Sequence, residues 1–200
     1  VTEAVTGIDL VAEQIRVAAG EPLGYTQDDL SIDGHAIECR VYAENPTENF
    51  LPDPGPLLRH AAPSGVGVRV DAGVEEGGEV LIHYDPMISK LITWGGDRDH
   101  AIRRMRRALR EYEIAGMHTT IPFCQFAMQH DAFCSGNFST HFVDTHFDPK
   151  ALHPSSETFD LYAALAAVAE AHTRSKTAAP ERPTSASDTG RPWRRRRRHV

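Results

Sequence analysis

The sequence predicts an α+β fold, a mostly antiparallel sheet flanked by helices. Two observations predict it. Short apolar runs of strand character cluster between residues 36 and 94, joined by turns rich in Gly, Pro or Asp, and do not alternate one for one with helices. A strongly amphipathic helical stretch then follows as a block. The chain has 200 residues, 40% of them hydrophobic, which is enough for one domain with a real core plus a tail. No apolar run approaches the ~18 residues a membrane span needs. Cys39, Cys124 and Cys134 are too few and too scattered for a disulfide framework, which suits a reducing cytosol. No basic stretch precedes an apolar one at the start, so no secretory leader is expected and the expected location is cytoplasmic.

Gly7 to Ala19 has helical spacing, with Leu10, Val11, Ile15 and Ala18 on one stripe and Gly20 as the stop. Ala36 to Ala43 alternates, Ile37, Cys39 and Val41 on one face and Glu38, Arg40 and Tyr42 on the other, which predicts a strand with one face free for other work. Asn45 to Pro56 reads as an irregular loop, because Pro46, Pro52, Pro54 and Pro56 remove backbone donors. Leu57–Ala61, Gly65–Val70, Glu79–Ile82 and Ile88–Trp94 are strand candidates. From Arg98 to Tyr112 the residues Ile102, Met105, Leu109 and Tyr112 define the inward face of a helix capped by Asp97, with Arg103, Arg104, Arg106, Arg107 and Arg110 on or beside its outer face. Thr120 with Pro122 resembles a second helix start, running to Gln129. A short strand at His141–Thr145 and a helix at Ser156–His172 complete the reading.

The net charge of −7 hides an asymmetry. From Arg174 onward nine Lys/Arg face two Asp/Glu, ending in the run Arg194 to Arg198. The body therefore carries a net charge of −14, and an acid-rich surface repels nucleic acid phosphates. The expected organisation is a domain over 1–147, a helical extension over 148–173 and a disordered Arg/Pro/Ser-rich tail over 174–200. No nucleic acid and no membrane is expected as a partner.

A search for chemistry finds no complete active site. There are 11 histidines but no Cys-x-x-Cys and no His-x-x-x-His on a predicted helix, so no metal site is expected. There is no Gly-x-Ser-x-Gly, no Gly-x-Gly-x-x-Gly and no phosphate-binding Gly-x-x-x-x-Gly-Lys. One position stands out. Arg40 lies mid-strand on the polar face, where an arginine snorkels, pairs or points at a ligand. A structural ion pair with Glu38 or Glu44 and a ligand-facing role both remain open on the residues alone.

The stretch Gly34-His-Ala-Ile-Glu-Cys-Arg-Val-Tyr-Ala-Glu, then Phe50-Leu-Pro-Asp-Pro-Gly, then Tyr84-Asp-Pro-Met-Ile-Ser-Lys-Leu-Ile, and the opening Val-Thr-Glu-Ala-Val-Thr-Gly-Ile-Asp-Leu-Val-Ala-Glu-Gln resemble the C-terminal domain of biotin carboxylase. That ATP-grasp enzyme serves acetyl-CoA, propionyl-CoA and pyruvate carboxylases. The resemblance runs from Val1 to Phe147 in order and spacing. It implies a reaction in which ATP, Mg2+ and bicarbonate form carboxyphosphate, whose CO2 then carboxylates biotin on a carrier domain. It places Arg40 as the catalytic residue at the biotin ureido oxygen, where a permanently charged planar donor holds developing negative charge. It also puts Asp85 in the biotin cleft beside Arg40, and Arg69 at a homodimer interface.

The family signature Asn-x-Arg-x-Gln-Val-Glu-His-x-Val-Thr-Glu carries the bicarbonate-binding Arg and the general-base Glu, and this sequence holds only its last three residues. The Gly-rich lid, the ATP-binding lysines and the magnesium carboxylates are not among the 200 residues. The expectation is therefore an inactive piece of an ATP-dependent ligase that does not itself bind ATP, Mg2+ or biotin tightly. The expected partners are a biotin carboxyl carrier, a carboxyltransferase and, in the complete enzyme, a second copy. The alternative is a non-catalytic module that binds an intact carboxylase through the dimer surface. No Met-Lys-Met biotin attachment site is present.

Overall fold

The computed structural model describes residues 1–153 and 156–177. Asp9 starts the first long helix by accepting from the backbone N–H of Val11 and Ala12, so α2 (Leu10–Ala18) begins three residues later than its spacing suggested, after a separate turn of helix, α1 (Thr2–Thr6). Gly7, with φ 74°, ends α1 and supplies the break. The predicted apolar stripe of α2 lies largely in solvent, Val11 and Ile15 being 65% and 66% exposed.

The alternation at residues 36–43 forms β1 (His35–Tyr42), with Ile37, Cys39 and Val41 buried and Arg40 exposed. Two-residue pairings follow: β2 (Glu44–Asn45) with β3 (Leu51–Pro52), and β4 (Gly55–Pro56) with β7 (Glu79–Val80). The proline-rich stretch is thus less irregular than expected, since each bridge is too short to need the donors that proline lacks. Between them come β5 (Arg59–Ala61) and β6 (Val68–Ala72). The long β8 (Met87–Gly95) lies at the centre of an antiparallel sheet ordered β1-β8-β6. Its buried residues run almost without interruption, the pattern of a strand covered on both faces, since one-sided packing would leave alternate residues exposed.

That helix is α3 (Arg98–Glu111), whose Asp97 cap accepts from the His100 N–H at 2.6 Å. Ala101, Ile102, Met105, Ala108 and Leu109 are buried against the sheet. Arg103 and Arg110 point outward as expected. Arg104, Arg106 and Arg107 are instead half-buried and donate to the carbonyls of Trp94, Met128 and Ser64, tying the helix to three other segments. The three-residue β9 (Glu113–Ala115), too short to read from the sequence, pairs with β5. Gly116 follows with φ 113°, in a place where any Cβ would overlap the Pro56 carbonyl.

Helices α4 (Ile121–Gln129), α5 (Asp131–Ser135) and α6 (Phe142–His146) close the unit. The last of these corrects the expected strand at His141–Thr145. Phe142 and His146, four residues apart, both pack on the His130 ring at 5.4 and 4.7 Å, a contact that needs the one-turn rise of about 6 Å in a helix, where a strand would set them about 13 Å apart. Residues 1–153 form one unit, and the helix α7 (Ser156–Thr177) belongs to a second. It continues past His172, where the sequence reading ended it, and the expected tail from 178 onward lies outside the described residues. No helix among the described residues is long and apolar enough to cross a membrane.

Candidate functional site

The polar face of β1 is where the sequence placed its one unusual residue, and the register shows its company. Arg40 lies opposite Lys90 on β8, and Lys90 lies opposite Asp71 on β6, so two cations and one carboxylate form a row across the sheet. Arg40 Nε donates to Glu38 Oε1 at 3.1 Å, with 60% of its own side chain exposed and only 22% of that of Glu38. The half-buried carboxylate braces a guanidinium that still faces water. Glu38 first, and Tyr42 after it, hold Arg40 even more firmly in its charged form.

Beside Arg40 opens a cleft of about 330 Å³ between β1 and α4. Glu38, Tyr42 and Glu44 line its rim, while Phe50, Phe123, Met128 and Phe133 supply an apolar floor. Burial, and then the charge of Asp85, push Glu44 above the usual carboxylate range. Cys39 and Cys124 also line the cleft. The Cys124 thiol lying against it, and burial, push the Cys39 thiol well above its ordinary value, so it stays protonated. Phe50 adopts φ 56°, directly after Asn49 at φ 54°, and its ring is held edge-on by Phe123 at 5.2 Å. A left-handed backbone is rare for an aromatic residue, and here the ring contacts compensate for it.

Of the three residues singled out from the sequence, Arg40 alone carries a side chain that lines this cleft. Asp85 stands in the turn ahead of β8, where its Oδ1 accepts from Met87 N at 3.1 Å; it acts on the cleft through Glu44 and makes no ion pair with Arg40. Arg69 lies elsewhere on the outer face of the sheet. It pairs with Asp71 at 2.7 Å and with Glu3 at 3.1 Å, lining a groove of about 380 Å³ beneath α1. Phe50 and Thr120 were missed as site residues. Nothing local marks Thr120, whose partners are 78 and 80 positions away in the chain.

Among the described residues no group of three or more His, Cys, Asp or Glu could hold a metal ion. The Arg40 guanidinium beside an apolar floor suits a small ligand with an oxygen that bears partial negative charge and an apolar body.

The family described as biotin carboxylase C-terminal domain matches residues 38–145. A pyruvate carboxylase subunit of Methanothermobacter thermautotrophicus is 57% identical over 144 residues, covering 72% of this chain and 29% of that protein. Biotin carboxylase 1 of Bacillus subtilis is 50% identical over 146 residues, covering 73% of this chain and 32% of that protein. Among solved structures, the biotin carboxylase domain dimer of Hydrogenobacter thermophilus 2-oxoglutarate carboxylase, in complex with MgADP, ADP and bicarbonate, superposes with a TM-score of 0.73 at 42% identity, covering 78% of this chain and 34% of that one. The chain thus spans about a third of the length of these relatives.

Proposed function

The chain belongs to the biotin carboxylase family, as its C-terminal domain, and on that premise we propose that it serves the ATP- and bicarbonate-dependent carboxylation of carrier-bound biotin in an acyl-CoA or pyruvate carboxylase. Its own contribution is Arg40, the catalytic residue on the biotin side of the site. The observation that carries this reading is an exposed guanidinium, braced by Glu38 at the mouth of an apolar-floored cleft. Biotin, when bound, supplies a ureido nitrogen that takes the carboxyl group. Arg40 then meets the ureido oxygen as a planar, permanently charged donor and holds the negative charge that develops there. The bracing matters because a guanidinium already oriented loses less freedom on meeting its ligand. Asp85 acts from the rim, adding to burial in pushing the Glu44 carboxyl above its usual range.

No step through ATP or Mg2+ is assigned to these residues, since the described residues offer no carboxylate cluster for the metal. The reading implies that the 200 residues alone are inactive, with the nucleotide chemistry carried by the parts of the relatives that the match does not cover. The carrier and the carboxyltransferase are the partners of the complete enzyme. Arg69, held extended by Glu3 and Asp71, serves its homodimer surface.

The test is Arg40→Met in a complete carboxylase containing this segment. Loss of a single charge-stabilising donor costs roughly 100- to 1,000-fold in turnover. That loss is expected in biotin carboxylation, while ATP cleavage measured without biotin persists. An equal loss in both would refute the assignment of Arg40 to biotin.

A further inference from the structure

The three-stranded sheet ends at β1, whose second edge has no strand beside it among the described residues. Arg40 C=O and Tyr42 N–H lie on that edge, next to the register irregularity between Val41 and Tyr42. One side chain from the start of α4 completes them. Tyr42 N–H donates to Thr120 Oγ1 at 3.0 Å, and the same hydroxyl donates to the Arg40 carbonyl at 3.0 Å. Thr120 N–H donates in turn to the Tyr42 carbonyl at 3.1 Å. Thr120 is 5% exposed, so water does not compete for these bonds.

We propose that Thr120 is the positioning residue for Arg40: its hydroxyl takes the place of a neighbouring strand and sets the backbone from which the guanidinium is aimed. The hydroxyl is a single atom that both accepts from one backbone group and donates to another across this edge, which the methyl of valine cannot do. Its anchor is rigid, because α4 buries Ile121, Cys124, Ala127 and Met128, and Gln125 donates to the Leu109 carbonyl of α3 at 2.9 Å. Without the hydroxyl, the irregular end of β1 keeps the Thr120 N–H bond but loses two others, and Arg40 is free to leave Glu38. A role in biotin carboxylation rests on the assignment of Arg40 made above, whereas the positioning itself does not.

The experiment compares the 200-residue chain with Thr120→Val, Thr120→Ala and Thr120→Ser by nitrogen-15 NMR of the arginine side chains. The Arg40 Nε–H signal is assigned by its loss in Arg40→Lys. The expected result is several-fold faster exchange of that proton with water in Thr120→Val, with Thr120→Ser like the native chain and the Nε–H signals of Arg98 and Arg106 unmoved. An Arg40 signal unchanged by Thr120→Val overturns the proposal. So does equal movement of Arg98 and Arg106, which would make the threonine merely structural. If the valine variant does not fold, Thr120→Ala is read by the same two criteria. The biotin reading of Arg40 is decided separately by Arg40→Met in the complete carboxylase, and the exchange comparison decides the positioning either way.

Discussion

Replacing Tyr112 by phenylalanine removes one oxygen and strands two partners. The phenol lies 2.6 Å from Ser89 Oγ and 2.8 Å from His60 Nε2, joining β8, the end of α3 and β5. Ser89 is 2% exposed and Tyr112 6%, so no water replaces the lost atom. Burial pushes the phenol above its usual range, with Ser89 pulling the other way, so the hydroxyl is intact at neutral pH. Each hydrogen bond contributes about 1 kcal/mol net, and an orphaned buried hydroxyl adds a cost of similar size. Tyr112→Phe is therefore expected to destabilise the fold by about 3 kcal/mol, or roughly 6–12 °C in Tm for a domain of this size. Ser89→Ala costs about 1 kcal/mol, because Tyr112 keeps its bond to His60. The double variant should be no worse than Tyr112→Phe, since Ser89 no longer needs a partner. Urea denaturation of the four proteins measures the coupling directly. Strict additivity of the two single changes would refute the relay as a shared network.

Two further outcomes follow from the same packing. Arg98 donates to the carbonyls of Phe133 and Cys134 and meets His35 Nε2 at 3.1 Å, with its guanidinium over the Phe133 ring at 5.0 Å. Arg98→Lys cannot reproduce that fork and should lose about 2 kcal/mol in urea denaturation; native-like stability would show that one ammonium contact suffices. Asp53 is held below the usual carboxylate range, first by the His118 backbone N–H and then by the His118 ring. A depressed folded value adds stability above the unfolded value of about 3.9, which is lost as pH falls through the folded value. The stability difference between the native chain and Asp53→Ala should thus be largest above about pH 5 and shrink toward pH 3. It should also be small, because the pair is exposed. A difference that grows on acidification would reverse the reasoning.

Where a local rule sufficed, the sequence was legible. Period-two alternation placed β1 and put Arg40 on its open face, and the 3.6-residue spacing with Asp97 as cap placed α3 almost to the residue. Four motif blocks in order identified the family. Where two distant segments decide together, the sequence was silent. The helix at Phe142–His146 looked like a strand because its spacing has meaning only once His130 is seen as its partner. The arginines of α3 looked like a solvated face because their acceptors are carbonyls on other elements.

The amino-acid sequence by itself determined the fold class and the strand that carries Arg40, since both follow from residue types at fixed short spacing. Tertiary structure alone decided what Arg40 rests on. The cleft between β1 and α4 and the threonine that closes the edge of β1 join residues some 80 positions apart. A hydrogen bond across that separation depends on where the packed helix brings its hydroxyl, and no pattern along the chain records it.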